Sequence, residues 1–130
     1  MHAYTYSGHP TCCAVALANI EILESEKLVG NASVMGQRLM DGLNSLAAEF
    51  ECIGNVRGLG LMAAIEFVAN RETKEPAGIG EQVRKACITR GLFTRVVGDT
   101  LVFAPPLVIN AEEIDLIVQS VGQSIAEVIG

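Results

Sequence analysis

The stretch Val56-Arg57-Gly58-Leu59-Gly60-Leu61-Met62-Ala63-Ala64-Ile65-Glu66-Phe67-Val68 alternates on either side of two glycines. Cys52 to Arg57 and Leu61 to Val68 read as two short strands flanking Gly58 and Gly60. Leu61, Ala63, Ile65 and Phe67 fall on one face by period two, the face that helices must cover. Glu66 lies on the opposite face and is predicted to be solvated or paired. Arg57 could meet a carboxylate near a domain junction or contact substrate, and a structural ion pair is the favoured reading.

Downstream, residues 70 to 80 form a polar connection, and a helix follows from about Ile79 to Arg90, packing Val83, Ala86 and Cys87. Gly91 supplies the stop expected just past a helix end. Leu92 to Val97 and Thr100 to Ala104 then read as a hairpin across Gly98-Asp99, with glycine at positive φ. Arg95 sits inside the first of these strands. A guanidinium there is costly unless it points out of the core or meets an anion. Pro105 and Pro106 end the pairing, and Asn110 with Glu113 forms a variant capping box. Ile114, Ile117, Val118, Val121, Ile125 and Val128 give the last helix a continuous apolar face, making it a lid over the sheet.

Upstream, Met35, Leu39, Leu43, Leu46 and Phe50 mark a helix from about Ala32 to Phe50, with Gly30 predicted as the break before it. A first helix from Thr11 to about Leu28 is small and apolar on nearly every face in its first half, which is therefore expected to be buried between other elements. Glu21, Glu24, Glu26 and Lys27 carry its second half along a surface. The sum is an α/β fold of two layers, a small antiparallel sheet of about four strands covered by helices.

Tyr4-Thr5-Tyr6-Ser7-Gly8-His9-Pro10 crowds hydroxyls against the start of that first helix. Free N–H groups and the positive dipole end favour an anion such as phosphate, with Thr5, Ser7 and Tyr6 as further donors. The plainer alternative is that these residues simply begin the helix, Pro10 sitting where its missing N–H costs nothing. Cys12, Cys13, Cys52 and Cys87 lack metal or disulfide spacing and read as buried free thiols. His2 and His9 have no third ligand at suitable spacing, and Ser7 with His9 has no nucleophile elbow, so neither a metal site nor a hydrolase is indicated.

The 130 residues, 50% hydrophobic and 18% charged, suffice for one domain with a core. A net charge of -6 and the lack of any Lys/Arg run argue against nucleic acid as a partner. No long apolar run or signal-peptide pattern appears, so the expectation is no membrane partner and a cytoplasmic location.

Three motifs in order resemble the class III aminotransferases, which are pyridoxal-phosphate enzymes. These are Tyr4 to Pro10, Val56-Arg57-Gly58-Leu59-Gly60-Leu61-Met62, and Arg95-Val96-Val97-Gly98-Asp99 with Ala104-Pro105-Pro106-Leu107. The resemblance is closest to the branch that uses ω-amino acids or amines with pyruvate. It implies the C-terminal small domain of fold-type I pyridoxal-phosphate enzymes at 29–130, with residues 1–28 linking to a large domain absent from this chain. It further implies that Thr5 hydrogen-bonds the cofactor phosphate of the neighbouring subunit in a homodimer, and that Tyr4 lines the same place. Arg95 would hold the carboxylate of a keto-acid or amino-acid substrate and swing aside for amines that lack one. Ala3, where many relatives have glycine, is a small departure.

Pyridoxal chemistry also needs a Schiff-base lysine and an acidic partner for the pyridinium nitrogen. Lys27, Lys74 and Lys85 all have polar surroundings in the sequence, and the resemblance puts both catalytic groups upstream, so no catalytic residue is expected in this chain and the chain alone should not transaminate. A free-standing, non-catalytic interaction or assembly module with the same fold is the alternative.

Overall fold

The computed structural model describes Tyr4, Thr5 and residues 7–130. The sequence readings on His2, Ala3 and Tyr6 lie outside the described residues. Helix α1 (Pro10–Ser25) and helix α2 (Leu28–Glu49) are followed by strands β1 (Ile53–Leu59) and β2 (Met62–Phe67). Helix α3 (Gly80–Thr89), strands β3 (Arg95–Val97) and β4 (Thr100–Phe103), and helix α4 (Ala111–Ile129) complete the chain. The strands make one antiparallel sheet in the order β1-β2-β4-β3.

Period-two alternation decides what lies under the helices. Leu61, Ala63, Ile65 and Phe67 are all buried, together with Ile53, Leu101 and Phe103 from neighbouring strands. Leu39, Leu43 and Leu46 of α2, Val83 and Cys87 of α3, and Ile114, Val121 and Ile125 of α4 close over them as one core. In the helix layer α4 packs between α2 and α3, the former over β1 and β2 and the latter over β3 and β4. The α/β architecture expected from the sequence, four antiparallel strands covered by helices, is the one observed.

The local signals for the last two helices hold in detail. Asn110 Oδ1 accepts from the Glu113 N–H at 2.9 Å while the Glu113 carboxylate accepts from the Asn110 N–H at 3.0 Å, completing the capping box. Gly91 adopts φ +80°, and the Leu92 N–H reaches the Cys87 carbonyl while the Gly91 N–H reaches that of Ile88, a Schellman ending for α3. That ending consumes Leu92, so β3 starts at Arg95 rather than at Leu92.

Three expectations need correction. The break between the first two helices falls at Lys27, in the left-handed region at φ 54°, and Gly30 lies inside the first turns of α2. The first half of α1 is not buried: among the described residues no residue of α1 is, and Val15 and Leu17 are 64% and 63% exposed. The reason is that, among the described residues, α1 packs chiefly on α2. For the same reason Cys12 and Cys13 are exposed; Cys52 is half-buried, and Cys87 alone fits the reading of a buried thiol.

Gly60, at φ +56°, turns β1 into β2, and a Cβ on buried Gly36 of α2 would run into the Gly60 backbone. Close approach of helix to turn therefore requires glycine at position 36. Gly36→Ala would gain about 1 kcal/mol of helix propensity, yet overpacking against rigid backbone costs about 1–3 kcal/mol. Urea unfolding should show a net loss of stability for Gly36→Ala. Gly30→Ala, where a Cβ meets nothing within 4 Å, should instead be stabilised by about 0.5–1 kcal/mol.

Candidate functional site

The face of the sheet away from the helices carries the charged side chains that alternation places there. Arg57, Ala64, Val102 and Arg95 stand opposite one another in a single row across all four strands. Arg57 donates to Asn55 Oδ1 and to Glu66 Oε2, both at 2.9 Å, so the expected structural pair is present and Glu66 is its partner.

Arg95, at the other end of the row, differs from every other arginine. Arg38 forks onto Asp115 at 2.7 Å, Arg84 onto Glu81 at 2.7 Å, and Arg90 reaches Glu127 at 2.6 Å. The Arg38 and Asp115 charges stabilise each other, raising the arginine pKa and lowering that of the carboxyl, chiefly through their hydrogen bond. Arg71 caps the end of α2 through the carbonyls of Ala47, Phe50 and Glu51. Arg95 alone has no hydrogen bond or ion pair among the described residues, and it is exposed. It thus satisfies the sequence condition of pointing out of the core without meeting an anion of its own chain.

The second region precedes α1. Tyr4 and Thr5 are exposed, the Ser7 N–H donates to the Tyr4 carbonyl at 2.9 Å, and Gly8 adopts φ +74°. His9 is the N-cap with extended backbone, no side chain caps the helix, Pro10 opens it, and the first turn holds no acidic residue. The His9 side chain accepts from none of the backbone N–H groups there. Ser7 and His9 are both exposed and share no hydrogen bond. Thr5 precedes α1 and Arg95 lies on the edge strand β3, and no hydrogen bond or ion pair links them.

Several ties were invisible in the sequence. Asp99 accepts the Gly78 N–H at 2.6 Å and the Gly80 N–H at 2.8 Å, capping the start of α3 from the β3–β4 turn. Asn31 donates its amide to the carbonyls of Leu107 and Ile109, fastening the loop after Pro105-Pro106 to α2. The Thr94 hydroxyl donates to the Val102 carbonyl at 2.7 Å. Only Asp99 had a local hint, its place after Gly98 in a turn.

The sequence matches the family described as Aminotransferase class-III over residues 1–125. The chain belongs to the class III aminotransferases. It is 44% identical to an uncharacterised aminotransferase, y4uB, of Sinorhizobium fredii, over 98% of this chain and 28% of that protein. It is 40% identical to a putrescine–pyruvate aminotransferase of Pseudomonas aeruginosa, over 88% of this chain and 26% of that protein. An amine transaminase from an uncultivated Pseudomonas species, solved in its PLP-bound form, superimposes with a TM-score of 0.92 at 37% identity, covering 98% of this chain and 30% of that one. The chain therefore spans under a third of the length of these relatives.

Class III aminotransferases use pyridoxal phosphate, and the donors present fit one end of it. The uncapped start of α1 and the exposed Thr5 hydroxyl suit a phosphate. Of the lysines, Lys27 is exposed at the helix break, Lys74 donates to the Gly54 carbonyl, and Lys85 is exposed beside Glu81. Burial pushes the Cys52 and Cys87 thiols up, which makes both slow to react. In the 130-residue chain, Cys12 and Cys13 should react fast with an aromatic disulfide reagent and Cys87 only after unfolding, as read by mass spectrometry of labelled peptides.

Proposed function

We propose that this chain acts as part of an aminotransferase that moves an amino group between an amine or ω-amino acid and an α-keto acid such as pyruvate. The observation that carries this is Arg95, exposed and unpaired while the other arginines are all engaged. A planar guanidinium with free donors grips a carboxylate through two parallel hydrogen bonds. In this reading Arg95 binds and orients the carboxylate of the keto acid, and leaves that place for amines without one. Thr5 donates its hydroxyl to the cofactor phosphate, Tyr4 lines the same place, and the start of α1 adds its N–H groups and dipole. Bound pyridoxal phosphate supplies the electron sink for the transfer.

The remaining parts follow from the same reading. Residues 1–28 join this small domain, 29–130, to a large domain that brings the lysine and the pyridinium partner. Thr5 serves the cofactor of the neighbouring subunit in a homodimer, and the enzyme is cytoplasmic. The 130 residues alone are inactive for want of a suitable lysine. A non-catalytic module would share that want, but it has no use for either an unpaired Arg95 or an uncapped phosphate-type helix start.

The test is kinetic, in the enzyme comprising both domains. Losing a charge-assisted bond costs about 1.5–3 kcal/mol, so Arg95→Ala should raise the KM for pyruvate about 10- to 100-fold. The kcat/KM for a carboxylate-free amine should stay within about twofold, since the two half-reactions of ping-pong kinetics are separate. Unchanged pyruvate kinetics would remove the assigned role. Thr5→Ala should instead release cofactor on dialysis, followed by its visible absorbance, with the pyruvate KM little altered.

A further inference from the structure

Among the described residues Arg95 has no side-chain partner, so the backbone that carries it is what fixes where its side chain begins. That backbone is β3, three residues long, at the edge of the sheet and paired on one side only, with β4. Short edge strands are prone to local opening, and a bidentate grip on a carboxylate tolerates little misdirection. Two attachments bracket the strand. At its entrance, Thr94 donates its hydroxyl at 2.7 Å to the carbonyl of Val102, the residue registered directly opposite Arg95.

At the other end, the Asp99 carboxylate takes the N–H groups of Gly78 and Gly80 at 2.6 and 2.8 Å, and the Asp99 carbonyl takes that of Phe67 at 2.9 Å. The approach is close because buried Gly80 has no side chain; a Cβ there would lie 2.7 Å from the Gly98 carbonyl oxygen. The turn is thereby fastened to both the start of α3 and strand β2. A hairpin needing only to fold would be served by its ladder and its glycine turn.

We propose that Thr94 and Asp99 are positioning residues that aim the Arg95 guanidinium and so set how tightly the enzyme takes a carboxylate-bearing acceptor. This deepens the Proposed function and rests on its assignment of Arg95. In this reading both act through Arg95. Removing either bond frees β3 to fray, spreads the guanidinium over more directions, and weakens the carboxylate grip while leaving the amine half-reaction alone.

The experiment compares Thr94→Val, Thr94→Ser, Asp99→Asn and Arg95→Ala in the two-domain enzyme. For Thr94→Val and Asp99→Asn the KM for pyruvate should rise about three- to tenfold, with kcat/KM for a carboxylate-free amine within about twofold of the parent. Thr94→Ser, which keeps the hydroxyl, should return the KM to the parent value. If Arg95→Ala raises the pyruvate KM while Thr94→Val and Asp99→Asn do not, the positioning role is wrong and the Arg95 assignment stands. If both substrates suffer together in proportion to a fall in melting temperature, and Thr94→Ser fails to rescue, the two residues merely support the fold and the proposal is overturned. If Arg95→Ala itself leaves the pyruvate KM unchanged, the assignment of Arg95 falls and the positioning role with it. Should Asp99→Asn not fold, Thr94→Val and Thr94→Ser decide alone.

Discussion

A single sheet with helices on one side only is the constraint from which the other features follow. Ile65, Phe67 and Leu101 are fully enclosed beneath α2, α3 and α4, and burying each such side chain contributes about 1.5–3 kcal/mol. Because strand side chains alternate, fixing these residues inward forces Arg57, Glu66 and Arg95 outward. Packing and chemistry thus occupy opposite faces of the same strands. A one-residue slip in β3 would send Arg95 into the core and expose Val96.

The outward charges are handled in two ways. Arg57 is neutralised by Glu66 on the same face, and Arg38, Arg84 and Arg90 have their own carboxylates. These pairs are largely exposed and add little to stability. Arg95 is left without a counter-charge on a strand whose two ends are fastened by Thr94 and Asp99. Helix α1 departs from the rest differently, since its apolar residues are exposed all round and an all-round apolar helix is normally covered. Both features make sense in a small domain that works against a larger one, as the two-domain proposal requires.

Much of the fold could be read from the sequence because its signals are local. Alternation over Leu61, Ala63, Ile65 and Phe67, the Asn110–Glu113 box and the stop at Gly91 each depend on a few neighbouring residues, and each is found in the structure. Expectations failed where the deciding partner is distant or outside the chain. The break falls at Lys27, next to buried Leu28, rather than at the exposed Gly30. Cys12 and Cys13 lie on α1, none of whose residues is buried. The contacts of Asp99, Asn31 and Arg71 span 19 to 78 residues and leave no pattern in the sequence. For the candidate site, physics alone could say only that Arg95 must point outward or meet an anion. The substrate role given to it, and the phosphate role given to Thr5, came from the resemblance to the class III enzymes.

The most direct measurement is the mass of the polypeptide that carries this sequence in its source cells, by blotting whole extract with an antibody raised against residues 29–130. A band several times larger than 13.8 kDa is expected, a small domain joined to the large domain that completes its site. A band at 13.8 kDa would contradict the account.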